Sequence, residues 1–145
     1  MKFIIDNNLV AVNWGYFPEW LKQQSNPRPL FNTRYESLLE KKTFTSAFKN
    51  SRCLVPITGW YEWKEEEGIK QPYYFFSNSS ETLIAAGLYW NRSSGDIESS
   101  IITREAVADL QTVHNRSPPV SYTHLRAHET KANRGCPGGG GKKKG

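Results

Sequence analysis

The stretch TGWYEWKEEEGIKQPYYFF, residues 58–76, constrains this chain more than any other. Large aromatics flank a charged, glycine-bearing turn, EEEGIK, which is the pattern of two strands folded back on one another. A lone hairpin is marginal in water, so one face must be covered by further strands or a helix. Within the first strand a carboxylate, Glu62, stands among Trp60, Tyr61 and Trp63. Side chains alternate across a strand, so Trp60, Glu62 and Lys64 share one face and Tyr61 and Trp63 the other. With Tyr61 and Trp63 in the core, Glu62 points away from it beside Trp60, where partial desolvation raises a carboxyl pKa and suits proton transfer. An exposed Glu62 paired with Lys64 or Arg52 is the plainer alternative.

The rest of the body repeats this strand-rich pattern. LVAVNWGY (9–16), RCLVPITGWYEW (52–63), QPYYFF (71–76), TLIAAGLYW (82–90) and IESSIIT (97–103) read as strands, with Pro56 marking an edge or a bulge. FPEWLKQQSNPRPLFNTR (17–34) is Pro-rich and loop-like, and YESLLEKKTFTSAFKN (35–50) is helical, with Tyr35, Leu38 and Leu39 on one face and an interruption near Thr43. REAVADLQTVHNR (104–116) is a short helix or loop. The predicted fold is α+β: a mostly antiparallel sheet curled towards a barrel, with a few short helices.

With 145 residues there is room for one domain and a modest core. No apolar run approaches the roughly 20 residues of a membrane helix, so no membrane partner is expected. MKFIIDNN is too short in its apolar run for a signal peptide. Two cysteines, Cys53 and Cys136, give no disulfide framework and point to a reducing compartment. The net charge of +5 resides in residues 121–145, which hold six Lys/Arg against one Glu; residues 1–120 hold 13 of each sign. That distribution removes the nucleic-acid argument from overall pI and places it on individual cations. Residues 121–145, with a Gly run before a Lys run, read as a non-native or disordered basic tail, leaving 1–120 as the domain. His124, His128 and Cys136 fall in that tail, and their spacing matches no standard zinc finger, so neither a metal nor a cofactor is expected.

Three further clusters carry polar chemistry. NTRYE offers Asn32, Arg34 and Glu36 on one side of an extended chain; an Asx helix cap with a surface ion pair is the alternative. VHNRSPP places His114 and Arg116 two positions apart before a Pro pair, a rigid arrangement suited to binding an anion and moving a proton, although a lone His is more commonly structural. WGYFPEW (14–20) is either a core-capping loop or a stacking wedge for bases.

WGYFPEW, NTRYES, RCLVPITGWYEWK with KQPYYFF, and VHNRSPP, in this order and spacing, resemble the SOS-response-associated peptidase (SRAP) family, the abasic-site processing proteins, over about residues 9–120. The resemblance implies a compact β-rich monomer that binds single-stranded DNA containing abasic sites and captures them covalently. It implies catalytic roles for Asn32, Glu62 and His114: Asn32 orienting the nucleophile, Glu62 acting as acid/base at the sugar, and His114 assisting ring opening. It also implies DNA contacts by Trp20, which stacks at the junction, and by Arg34 and Arg116 at phosphates. The implied location is cytoplasmic and nucleoid-associated in a bacterium, nuclear in a eukaryote. Family members begin Met-Cys-Gly-Arg and carry an Asn-Val-Ala-Pro segment before the strand corresponding to residues 9–16; here residue 2 is Lys and both segments are absent. The family's capture chemistry joins an α-amine and a thiol of one N-terminal cysteine to the sugar aldehyde, so this chain is expected to be an inactive fragment of an active parent. A peptide hydrolase and a single-stranded-DNA-binding module without catalysis are the alternative readings.

Overall fold

The computed structural model describes residues 1–79 and 81–121, and residues 125–129 as backbone. It is built of strands with few helices, and its larger sheet curls into a nearly closed barrel. The chain opens with a hairpin, β1 (Lys2–Ile5) and β2 (Asn8–Ala11), joined through Asp6 and Asn7 at φ 49° and 65°. A two-residue turn with both central φ values positive matches the right-handed twist of its strands, and Asp and Asn tolerate that conformation. After β3 (Asn13–Trp14) come the single-turn helix α1 (Glu19–Lys22), β4 (Asn32–Arg34), a 3-10 turn (Tyr35–Ser37) and α2 (Lys42–Asn50). The remaining strands are β5 (Arg52–Ile57), β6 (Gly59–Glu66), β7 (Ile69–Ser77), β8 (Leu83–Asn91), β9 (Ile97–Glu105), β10 (Arg116–Ser117), β11 (Val120–Ser121) and β12 (Leu125–Glu129), with a 3-10 segment at Ala108–Thr112.

The barrel-like sheet runs β10-β9-β8-β5-β1-β2, and β3 and β4 lie parallel to β9 at Glu98–Ser99 and Ile101–Thr103. The β8–β9 ladder ends at Gly87↔Ile101. Beyond it, β10 bonds the end of β9 and β11 bonds the start of β8, so the segment carrying Pro118 and Pro119 spans the two strands. A second sheet, β12-β7-β6, contains the aromatic hairpin. The chain passes from one sheet to the other between β5 and β6, at Thr58, so the single long strand expected over 52–63 is two strands in two sheets.

Three apolar clusters hold these layers. Phe3, Ile5, Val12, Cys53, Val55 and Ala85 fill one face of the larger sheet. Leu88, an odd number of positions from Ala85 and hence on the other face, joins Tyr16, Leu38, Phe44, Ala47 and Ile102 beneath α2. The third cluster, Phe75, Ala106 and Leu110 with Trp60, Tyr73 and Val113, packs the hairpin onto the segment that follows β9.

Three local expectations change. The helix over 35–50 breaks between Ser37 and Lys42, because only Leu38 of its expected apolar face is buried (1% exposed) while Leu39 is 71% exposed. The strand over 9–16 is interrupted at Val12, which turns into the core. Tyr61 and Trp63 are not core: each is 53% exposed, and the inward face of β6 is the one bearing Trp60 and Glu62. The reversal follows from which side the third cluster covers. Two strands, β11 and β12, lie at or beyond the boundary expected at residue 120; His124 and Cys136 lie outside the described residues.

Gly59 at the sheet switch has no room for a side chain. A Cβ there would sit 2.3 Å from the Phe75 carbonyl oxygen and 2.6 Å from the Tyr74 ring. Gly68, in the β6–β7 turn at φ +75°, has no atom within 4 Å of such a Cβ. Gly59→Ala is therefore expected to destabilise by about 3 kcal/mol through overpacking, and Gly68→Ala by about 1 kcal/mol through backbone conformation alone. Urea denaturation of both variants checks this; equal losses would contradict the packing account.

Candidate functional site

The third cluster does more than bury apolar area. Trp60 stacks on its cross-strand partner Phe75 at 5.3 Å between ring centroids, and Phe75 packs against Ala106 and Leu110. Glu62 lies two residues along the same face, and His114 follows the 3-10 segment anchored by Leu110 and Val113. The two side chains consequently meet, with His114 Nδ1 3.6 Å from Glu62 Oε2. The Glu62 side chain is 21% exposed, and burial raises its pKa. His114 opposes that rise. Trp60 opposes it more weakly; its buried indole N–H meets no partner in full hydrogen-bond geometry among the described residues but is directed to the carboxyl so as to favour the charged form. A half-desolvated carboxyl beside an imidazole is a unit for moving protons.

His114 is fixed from behind. Its Nδ1 accepts from the Arg116 backbone N–H at 3.2 Å and lies 3.1 Å from the Arg116 carbonyl oxygen, so this nitrogen has a backbone partner in either tautomer. The Arg116 guanidinium grips both oxygens of Glu36 at 2.9 Å and donates to the Thr103 carbonyl at 2.7 Å. That hydrogen bonding holds the Glu36 carboxyl down at about 2. Among the described residues, one of the guanidinium's five hydrogens, on Nη1, remains for an outside acceptor, and the Nε hydrogen is buried without a partner.

Glu62 lines a cleft of about 390 Å³ with Met1, Trp14, Asn32, Trp60 and Pro118. Asn32 also forms the wall of a smaller cleft, about 170 Å³, which holds Trp20, Arg34 and Lys41. The six residues singled out in the sequence thus divide. Asn32, Glu62 and His114 gather at the larger cleft or its edge; Trp20 and Arg34 line the adjoining one; Arg116 lies behind His114. Asn32 is in a strand and caps no helix, and Glu36 pairs with Arg116 across 80 positions instead of with its neighbour Arg34. The loop around Pro18 combines both of its readings. Tyr16 stacks on Trp90 at 3.7 Å, and Glu98, paired with Arg92, accepts from the Phe17 N–H, whereas Trp14 and Trp20 face outwards. Cys53 is buried, and burial pushes its thiol up to about 12, which removes it as a nucleophile. Sequence reasoning missed Thr103, which comes opposite Arg34 only through the pairing of β4 with β9, and Lys41, which the turn before α2 brings to the smaller cleft. Arg34 and Lys41 make no ion pair among the described residues.

The raised Glu62 pKa fixes the sign of a pH effect. Ionising a carboxyl whose folded-state pKa lies above its unfolded value costs stability, and that cost is absent at low pH and complete once pH exceeds the raised value. Glu62→Gln should therefore gain in melting temperature relative to the parent chain as pH rises from 4 to 8. A difference that stays constant, or closes, across that range would contradict the burial account.

The sequence and the fold have counterparts. The profile of the family described as SOS response associated peptidase (SRAP) matches residues 5–128. The abasic site processing protein YoqW of Bacillus subtilis is 32% identical over 120 residues, covering 79% of this chain and 54% of that protein. The abasic site processing protein HMCES of Xenopus tropicalis is 27% identical over 138 residues, covering 77% and 41%. A crystal structure of a protein from Bacteroides thetaiotaomicron superposes with a TM-score of 0.70 at 26% identity, covering 82% of this chain and 57% of that one. The chain thus spans about half the length of the curated relatives it matches. With the family profile covering most of its length, the strand-rich body that brings Glu62 to His114 belongs to the SOS response associated peptidase family.

Proposed function

We propose that this chain carries the proton-transfer core of a protein that binds single-stranded DNA and processes abasic sites. The observation that carries the reading is the Glu62–His114 pair at the edge of a cleft large enough for a deoxyribose. The names of the relatives, abasic site processing proteins, supply the substrate class.

An abasic sugar is a cyclic hemiacetal, and reaction with an amine requires the open aldehyde. Opening removes the proton from the anomeric hydroxyl and delivers one to the ring oxygen. Glu62 and His114, one accepting and one donating, perform both transfers without free hydroxide or hydronium. Asn32, at the wall shared by both clefts, holds the attacking group against the aldehyde. Arg34 and Lys41 receive flanking phosphates, with Trp20 offering a ring for base stacking. Arg116 can add one phosphate contact through its remaining Nη1 hydrogen. Since residues 1–120 carry no net charge, affinity rests on these few cations.

Met1 lines the cleft, and its α-amine donates to the Val12 carbonyl at 3.0 Å. An unprotonated α-amine can attack the aldehyde, lose water and form an imine. In a polypeptide whose α-amine is that of Met1, the neighbouring residue is Lys2, which offers no thiol to close the imine to a stable thiazolidine. The chain is therefore expected to give an adduct with an abasic single strand only when borohydride reduces the imine. Glu62→Gln and His114→Asn should each slow trapping about 100-fold. Arg34→Ala should weaken single-strand binding and flatten its salt slope by about one phosphate. Trapping that is indifferent to both Glu62 and His114 would reject the acid–base assignment, and an unchanged salt slope would reject the role of Arg34.

A further inference from the structure

We infer that Glu36 is a positioning residue for His114, acting through Arg116; the inference rests on the acid–base reading of Glu62 and His114 given above. Glu36 touches neither cleft residue. It stands in the 3-10 turn that continues β4, and β4 runs parallel to β9 with Arg34 opposite Thr103. That register delivers the Glu36 carboxylate to the place where Arg116, 80 positions later, reaches Thr103. The guanidinium is thereby held from the 3-10 turn and from β9 at once: Nη1 and Nη2 on the two Glu36 oxygens, and Nη2 on the Thr103 carbonyl. The main chain of the same Arg116 holds His114 Nδ1.

The consequence follows from desolvation. The Arg116 side chain is 19% exposed, and Glu36 is the carboxylate paired with it among the described residues. A largely buried guanidinium deprived of its carboxylate is an uncompensated charge, and it moves to find water. Its Nε hydrogen lacks a partner among the described residues, so once Glu36 is neutral the contacts to Thr103 are what hold the side chain. A guanidinium that moves pulls on the Arg116 main chain, whose N–H and carbonyl hold His114 and which the pairing with Glu105 of β9 alone then retains, so the imidazole is set less firmly against Glu62. The inner face of β6, which fixes Glu62, is unaffected because the third apolar cluster holds it independently.

The test compares Glu36→Gln and Glu36→Asp with the parent chain. The His114 ring nitrogens are followed by 15N NMR, assigned by loss of signal in His114→Asn. Borohydride trapping is measured at saturating abasic single strand, and Kd by anisotropy. Glu36→Gln should move the His114 ring signals to those of an imidazole without a backbone partner and lower the saturated trapping rate about tenfold or more, since an ångström of misplacement costs up to about 100-fold. Its Kd should stay within threefold. Glu36→Asp, which keeps the carboxylate, should restore part of the rate and of the ring signals. Unchanged ring signals in Glu36→Gln would overturn the inference, as would a rate loss accounted for entirely by Kd. The ring signals are read without DNA, so they decide the role of Glu36 even where trapping proves indifferent to Glu62 and His114.

Discussion

The stack of Trp60 on Phe75, pressed against Ala106 and Leu110, is the contact on which the rest of the site depends. It is the point where the smaller sheet touches the segment leaving the barrel. Among the described residues the far side of the hairpin is less covered, with Tyr61 and Trp63 each 53% exposed there. One apolar cluster therefore sets both the inclination of the hairpin and the separation of Glu62 from His114. The same burial that fixes the carboxyl also raises its pKa, so position and acidity share one physical cause.

Behind the pair, the molecule uses charge where it lacks apolar area. The chain from residue 114 to residue 121 bonds two strands that have parted from one another, and its paired prolines remove two backbone donors from that junction. The fork of Arg116 on Glu36 ties this segment to the 3-10 turn that follows β4. A single exposed ion pair contributes little to stability. This one is bidentate, anchored also to a carbonyl, and one side of it is largely buried, which makes it a device for geometry more than for energy.

Much of this was legible from residues. The hairpin pattern of 58–76, the neutral body, the strand-rich fold and the pairing of Glu62 with Trp60 on one face all follow from alternation and turn chemistry. The direction of that face did not, because Tyr61 and Trp63 carry more apolar surface than Trp60 and Glu62, and local hydropathy favours burying the larger pair. Only the distant Ala106 and Leu110 decide the matter. The opening hairpin had a readable signal in Asp6-Asn7 between two short apolar runs, Phe3-Ile4-Ile5 and Leu9-Val10-Ala11-Val12. The helix at 35–50 was overextended because Leu38 and Leu39 are equally apolar in sequence while the sheet admits one of them. Glu36 was visible as a polar neighbour of Arg34, but its partner is set by a parallel strand register that no local pattern encodes.

The parallel strands β3 and β4 also dictate an order of assembly. Both take their backbone partners from β9, which follows them by some 70 to 85 positions. On a ribosome the N-terminal hairpin and the β6–β7 hairpin can close as they emerge, being local in sequence. The residues from Asn13 to Arg34 must wait, with unpaired strand edges, until the chain has grown past Glu105. The interval during which this protein is most exposed to misassociation is thus written into its topology: it lasts as long as the synthesis of the chain between Arg34 and Glu105.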